Sequence, residues 1–134
     1  MENISDKKPL DKEFSSMLSV AENYFASRPQ KEYEYHRILV FLNEKGEIIS
    51  CVGKADRIDE LIEKEISAVS ERLKKDDAVI KKLLCLWERS KPDIPSSRIL
   101  KRLCEINSEN KNAELLIYTG EGNYSVKKLF DIIG

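Results

Sequence analysis

Three cysteines and one histidine are the side chains of this sequence whose chemistry is most often catalytic or metal-binding. Cys51, Cys85 and Cys104 are 34 and 19 positions apart, and no Cys-x-x-Cys pair occurs. An odd number of cysteines at such wide spacing predicts neither a disulfide framework nor a zinc site. Each cysteine has apolar neighbours, so we expect buried small side chains that remain free thiols. The sequence therefore predicts no metal and no cofactor.

His36 stands at the start of the most apolar segment of the chain. General acid–base catalysis needs a partner group and a pocket, and no carboxylate or nucleophile stands at a matching spacing. We therefore predict no catalytic residue and interpret the protein as not an enzyme. A cryptic enzyme, with Cys51 or His36 in a pocket and without a recognisable motif, remains an alternative.

Length and composition favour one small folded unit. The chain has 134 residues, of which 41% are hydrophobic and 35% charged, and its 23 basic and 24 acidic side chains leave a net charge of −1. This balance argues against a simple polyelectrolyte, and no apolar run approaches the roughly 20 residues that cross a bilayer. We expect a flexible lead over residues 1–9 and a single domain over residues 10–134. A cytoplasmic location without membrane contact is the corresponding expectation.

The charges are distributed unevenly along the chain. Five acids fall between Asp56 and Glu65, whereas seven basic residues fall between Lys81 and Arg102. An electrically polarised surface of this kind suits a partner that carries the opposite charge. We therefore predict that the partner is another protein with an acidic surface.

The leading functional hypothesis is a non-catalytic intracellular protein-interaction module of the inhibitor, immunity or adaptor type. Its contacts would come from the basic segment, with Trp87 as an apolar anchor. The predicted partner-binding residues are Trp87, Arg89, Lys91, Arg98 and Arg102. Nucleic-acid binding through residues 81–102 is a second hypothesis, although no stacking aromatics are interleaved with the basic residues.

The first half of the chain predicts a helix, a hairpin and a second helix. Apolar residues recur at helical spacing from Leu10, with Asp11 as the N-cap, and Arg28-Pro29 ends the helix. Residues 35–42 and 47–52 flank the turn Asn43-Glu44-Lys45-Gly46 and predict a β-hairpin. Asp56 is the expected cap of the next helix, which ends near Lys75.

The spacing of apolar residues gives a less clear prediction for the second half of the chain than for the first. Asp76-Asp77 favour a helix through Trp87, while the short apolar run of residues 82–87 also suits a strand. Ser96 or Ser97 is expected to cap another helix, and residues 114–119 predict a buried strand. Residues 124–133 suit a short helix or a short strand. The fold class is thus α+β, with a small, mainly antiparallel sheet built on a central hairpin and packed by three to four helices.

The order of these elements resembles the RadC-type JAB (JAMM) metalloprotease-like domain over residues 10–126. The resemblance rests on the strand ending Val40-Phe41-Leu42-Asn43, the hairpin, the long helix, and Pro95-Ser96. Residues 115–126 are also similar to the final strands of that family. The resemblance places the family's His-x-His pair on Leu86 and Glu88 and its aspartate on Ile99. It places the family's upstream glutamate near Glu34 or Tyr35. It therefore implies a relative that lacks the metal-binding residues and is not catalytic.

Overall fold

The computed structural model describes residues 10–27, 34–74, 78–88 and 90–133. Its helices are α1 (Lys12–Ala26), α2 (Ile58–Leu73), α3 (Ser97–Ile106) and α4 (Leu129–Ile133), with a 3₁₀ turn over Ser108–Asn112. Its strands are β1 (Tyr35–Asn43), β2 (Ile48–Ala55), β3 (Ile80–Trp87), β4 (Glu114–Gly120) and β5 (Asn123–Lys128). The predicted flexible lead, the predicted end of the first helix at Arg28-Pro29 and the predicted cap Asp76-Asp77 lie outside the described residues.

The five strands form one mixed sheet in the order β2-β1-β3-β4-β5. Strand β1 pairs antiparallel with β2 and β3, and β4 pairs antiparallel with β5. Strands β3 and β4 are parallel, with Lys82 opposite Glu114 and Leu83 opposite Leu115. The parallel pair needs a crossover, and α3 supplies it. The predicted α+β class with a mainly antiparallel sheet is therefore confirmed. The β1–β2 hairpin is not central as predicted, because β2 is an edge strand.

Helix α1 covers one face of the sheet. Its side chains Phe14, Met17 and Ala21 are fully buried and lie on one stripe of the helix, as the 3.6-residue period requires. They pack with Ile38 and Val40, which point to the same face of β1. Asp11 is the N-cap that the sequence predicts, because its carboxylate accepts a hydrogen bond of 2.7 Å from the Phe14 N–H.

An ion cluster holds α1 to the start of β3. The Lys82 ammonium lies 2.6 Å from a carboxylate oxygen of Glu13 and 3.0 Å from one of Asp11. The hydrogen bond from Lys82 lowers the pKa of Glu13. Burial raises the pKa of Asp11, but hydrogen bonds from the Phe14 N–H and Lys82 outweigh it and leave this pKa below its ordinary value. A carboxyl whose pKa is lower in the folded than in the unfolded state stabilises the folded state at any pH above its unfolded pKa. Asp11 and Glu13 therefore stabilise the fold at neutral pH, and this stabilisation is lost as the pH falls through their folded-state pKa values.

Helices α2, α3 and α4 cover the opposite face. Leu39 and Phe41 of β1 point to this side and are fully buried, together with Val69 of α2, Leu103 of α3 and Leu129 of α4. The Ser96 hydroxyl caps α3 by accepting from the Ile99 N–H at 3.4 Å, which confirms the predicted cap. None of the helices in the described ranges is long and apolar enough to cross a membrane.

Several local predictions were wrong. Of the two alternatives for residues 82–87, the strand is correct and the helix is wrong, because Ile80–Trp87 pairs with β1 on one side and β4 on the other. Helix α2 has Arg57, not Asp56, as its N-cap residue, and no side chain caps it. Residues 123–133 contain both a strand and a helix. Ile48 and Phe130 are large apolar side chains, for which burial in the core is the usual expectation, but they are 40% and 45% exposed.

Phe41 tests whether β1 is the centre of the fold. Its ring is fully buried between the sheet and α2 and α3. We expect Phe41→Ala to lower the free energy of unfolding by about 3–5 kcal/mol, because the substitution removes apolar contacts and leaves a cavity. Denaturant unfolding measures this loss. The matched control is Phe130→Ala, at an exposed phenylalanine, and equal losses in the two variants would contradict the assignment.

Candidate functional site

A buried ion pair lies at the end of the sheet where β1 starts and β2 and β3 finish. Arg37 on β1 and Glu65 on α2 are 4% and 1% exposed. The Arg37 Nε donates to one carboxylate oxygen of Glu65 at 2.6 Å, and the Arg37 Nη2 donates to the other. This two-point geometry is the strong form of the guanidinium–carboxylate interaction. The pair places a cation and an anion in a part of the molecule from which water is excluded.

An aromatic ring stacks on the guanidinium, and a second ring and an exposed carboxylate lie at the same end of the sheet. Arg37 lies opposite Trp87 on the neighbouring strand, with its guanidinium carbon 4.3 Å from the centre of the indole ring. Tyr35 lies 6.1 Å from Trp87 between ring centres, and both rings are half-buried. Asp93, in the loop between β3 and α3, is exposed and adds to the negative potential at the guanidinium. Arg37, Glu65, Trp87, Tyr35 and Asp93 thus lie at one end of the sheet, and we call them the polar cluster.

These charges decide the protonation of Arg37. Burial alone lowers the pKa of the guanidinium, but the hydrogen bonds to Glu65 and the nearby negative charges outweigh it and leave this pKa raised. Arg37 therefore stays a cation inside the protein.

Gly53 provides the space for Glu65. It lies opposite Arg37 on β2, and a Cβ atom at this position would come within 2.7 Å of the Glu65 Cγ and 2.9 Å of the Leu61 Cδ1. Any larger residue at position 53 would therefore displace the carboxylate. A row of Gly53, Arg37 and Trp87 across three strands is what allows a helix carboxylate to reach the sheet.

The loop from β3 to α3 is held at this end of the sheet by two backbone hydrogen bonds. The Asp93 N–H donates to the Cys85 carbonyl at 3.0 Å. The Tyr118 N–H of β4 donates to the Pro92 carbonyl at 2.9 Å. The carboxylate of Asp93 is therefore placed by strands on both sides of the loop.

Breaking the ion pair should destabilise the protein strongly. Arg37→Met leaves a buried carboxyl without a counter-ion, and we expect a loss of about 3–5 kcal/mol in the free energy of unfolding. Denaturant unfolding of the variant and the wild type at neutral pH measures this loss.

The double variant Arg37→Met/Glu65→Leu is the control for that experiment. It removes both charges, so no unpaired carboxyl remains, and most of the stability lost in the single variant should return. A single variant as stable as the wild type would contradict the buried pair.

The three cysteines and His36 are the catalytic candidates of the sequence. They supply no reactive group to the cluster around Arg37 and Glu65. Cys51 and Cys85 are buried, and burial raises the pKa of their thiols to about 11 and about 12. Burial also raises the pKa of Cys104, which is only partly buried. His36 points to the opposite face of the sheet, where its Nε2 lies 2.7 Å from the Tyr24 hydroxyl oxygen and its ring contacts Phe25. The predicted free thiols are therefore present, and they are poor nucleophiles.

Thiol labelling of the native protein checks this arrangement. We expect Cys104 to react first, and Cys51 and Cys85 to react only after unfolding, because a buried thiol with a raised pKa exposes little thiolate. The Cys104→Ser variant should lack the native-state phase altogether. Rapid labelling of Cys51 or Cys85 under native conditions would contradict the structure.

The predicted partner-binding residues are separated by the fold. Trp87 stacks on Arg37, Lys91 lies over the Tyr118 ring at 5.5 Å, and Arg89 lies outside the described residues. Arg98 forms an exposed ion pair of 2.6 Å with Glu63 of α2. Arg102 contacts Ser70 and Glu105. That these residues contact an acidic partner stays a prediction.

The basic segment does not form one stripe. Lys81 and Lys82 stand at the start of β3 and pair with acids of α1, whereas Lys91 and Arg98 follow the end of the same strand. Arg98, Lys101 and Arg102 line a shallow groove of about 290 Å³ with Ile66 and Glu105. The acids of α2 pair with basic neighbours, which balances the charge locally.

Sequence reasoning missed the Arg37–Glu65 pair because both residues count as surface charges in a composition. A signal was present on α2, where Glu65 lies four residues after Leu61 and four before Val69, on the stripe that faces the sheet. A carboxylate on an apolar stripe needs a buried partner. Arg37, between His36 and an apolar run, is in the strand that faces it.

Comparison with solved structures identifies the fold. The cytidine deaminase from Mycobacterium leprae is similar, with a TM-score of 0.63 and 12% identity over 92% of this chain and 98% of that chain. The cytidine deaminase from Bacillus anthracis has a TM-score of 0.62 and 17% identity over 91% and 86% of the two chains. The enzyme from Mycobacterium tuberculosis has a TM-score of 0.58 and 15% identity over 91% and 94%. No family model matches the chain, and no curated protein matches its sequence.

This fold corrects two interpretations of the sequence. The resemblance to a RadC-type JAB domain is wrong, because the similar solved structures are cytidine deaminases. The strand at residues 80–87 agrees with the element order of the JAB family, but element order alone does not define a family. The prediction of a non-catalytic, protein-binding module that is not an enzyme is contradicted as well, since the chain shares the fold of these enzymes over almost its whole length.

The metal of zinc-dependent deaminases does not fit this chain. Those enzymes hold zinc with one histidine or cysteine and two cysteines in the pattern H-x-E…P-C-x-x-C. The sequence has no His-x-Glu, no Cys-x-Glu and no Cys-x-x-Cys, and residues 95–99 place Ser96 and Ile99 at the cysteine positions. Within the described ranges no three His, Cys, Asp or Glu side chains are grouped so that they could hold a metal ion. No chemical step is therefore assigned to zinc.

Proposed function

We propose that this chain is a deaminase-type enzyme that acts on a small aminated heterocycle such as the base of a nucleoside. The observation that carries the proposal is the match of the fold to cytidine deaminases along nearly the full length of both chains. A fold alone does not define an activity, so the buried polar cluster is the second support. Buried charges and rings at one end of a sheet are a common setting for a binding site.

The cluster offers groups for binding an aromatic base. Tyr35 and Trp87 are half-buried rings at the rim of the polar cluster. Any aromatic heterocycle can stack on such rings, whichever atoms its own ring contains. Arg37 supplies hydrogen-bond donors, and Asp93 supplies an exposed carboxylate. The carboxylate of Glu65 is engaged by Arg37, so Glu65 positions the guanidinium.

The reaction class is hydrolytic deamination. Water adds to the ring carbon that carries the amino group, the carbon–nitrogen bond breaks, and the amino group leaves as ammonia with a proton from the water. Asp93 is the carboxylate of the cluster that solvent reaches, and we assign to it the removal of the proton from water. A cytoplasmic location belongs to this proposal, because three free cysteines suit a reducing compartment.

An assay with cytidine tests the proposal. We expect the purified full chain to release ammonia from cytidine, and Asp93→Asn to slow the release by about 100-fold or more, since general acid–base groups contribute roughly 10²–10⁴. Trp87→Leu should weaken cytidine binding, measured by titration calorimetry. Lys45→Ala, on the hairpin turn at the opposite end of β1, is the control and should leave both unchanged. An absence of both binding and ammonia release, with cytidine and with free cytosine and adenine, would overturn the proposal.

A further inference from the structure

The cation of the polar cluster is a side chain of the protein. Arg37 is the only lysine or arginine among the buried residues of the described ranges. Its guanidinium is fixed from three sides, by the two oxygens of Glu65, by the indole of Trp87 and by the sheet backbone on which it stands between Gly53 and Trp87. A group held at three points cannot move aside without breaking a buried ion pair.

A metal ion at this place would meet three physical obstacles. A dication beside a buried guanidinium is repelled, and the repulsion is strong where water is excluded. The one fully buried carboxylate of the cluster, on Glu65, has both oxygens engaged by Arg37. The thiols of Cys51 and Cys85 are protonated at neutral pH, since burial raises their pKa values to about 11 and about 12.

The start of α3 lacks metal donors as well. Ser96 is occupied as the helix cap, because its hydroxyl accepts the Ile99 N–H at 3.4 Å. Ile99 is fully buried and packs in the apolar core with Leu39 and Leu103. A cysteine pair at these two positions would form half of a thiolate site. In this chain the same two positions cap a helix and fill the core.

We propose that this deaminase-fold chain binds no zinc and that the Arg37–Glu65 pair, stacked on Trp87, stands as the resident charged group of its site. The inference concerns the same site as the proposed function, and it holds or fails independently of turnover. Arg37 is the fixed cation of this cluster, held by the two oxygens of Glu65 and by the indole of Trp87. A guanidinium polarises a bound oxygen or nitrogen less strongly than a dication, so any turnover should be slower than a zinc-activated water allows.

Metal analysis tests the inference directly. The full chain, expressed in medium supplemented with zinc and purified without chelator, should contain zinc well below one atom per chain by plasma mass spectrometry. Thermal unfolding should be unchanged by zinc or by EDTA, because a tightly bound metal would stabilise the folded state. One zinc per chain, with a melting temperature that EDTA lowers, would overturn the inference.

Tryptophan fluorescence gives a second measurement. Trp87 is the single tryptophan of the chain, so the emission of the protein reports on the stack with Arg37. Addition of zinc should leave the emission unchanged, whereas Arg37→Lys should shift it, since an ammonium lacks the planar surface that stacks on the indole. An emission that responds to stoichiometric zinc would contradict the proposal, as would an emission unaffected by Arg37→Lys.

The cytidine assay, run before and after EDTA treatment, separates this inference from the proposed function. Ammonia release that EDTA does not affect supports both. Release that EDTA abolishes supports the deaminase activity and overturns the inference. A chain without zinc and without ammonia release overturns the proposed function and leaves the inference standing.

Discussion

The two-sided burial of β1 is the constraint on which the rest of the structure depends. Residues 36–43 of this strand are all buried, with α1 on one face of the sheet and α2 and α3 on the other. Alternate side chains therefore commit to different layers, and a shift of one residue would exchange the two cores. Arg37 belongs to the layer of Leu39 and Phe41, and this register places its guanidinium under α2. The register of β1 thus determines both which side chains form the apolar core and where the Arg37 guanidinium lies.

Local signals were sufficient for much of the fold. The hairpin, the Asp11 cap and the Ser96 cap could be predicted because each depends on residues close together in the chain. Strand β3 could not be predicted in this way. Its run of apolar residues has no period that separates a buried strand from a helix. The pairing with β1 decides the matter, and it joins residues that are 37 to 50 positions apart in the chain.

The candidate site was hidden for a related reason. Arg37 and Glu65 are 28 positions apart, and each resembles a solvated charge when counted by itself. Their contact depends on the absence of a side chain at Gly53, which no composition reveals. The deaminase fold was equally invisible, because the residues that mark zinc-dependent deaminases in a sequence are not present in this chain. A chain can have this fold without the zinc-binding pattern, because packing of the core depends on the volume and spacing of apolar residues and not on metal-binding residues.

The backbone hydrogen bond between Tyr118 and Pro92 links two parts of the molecule that differ in how they join the sheet. Strand β1 is paired along its length on both sides, whereas β4 pairs with β3 only at Lys82–Glu114 and Leu83–Leu115. We therefore expect the β4–β5 hairpin to open at a lower free energy than the rest of the sheet in native-state hydrogen exchange. Because the Pro92 carbonyl accepts the Tyr118 N–H, such an opening also releases the loop that carries Asp93. Solvent access to the end of the sheet that carries Asp93 is therefore expected to depend on the opening of the β4–β5 hairpin.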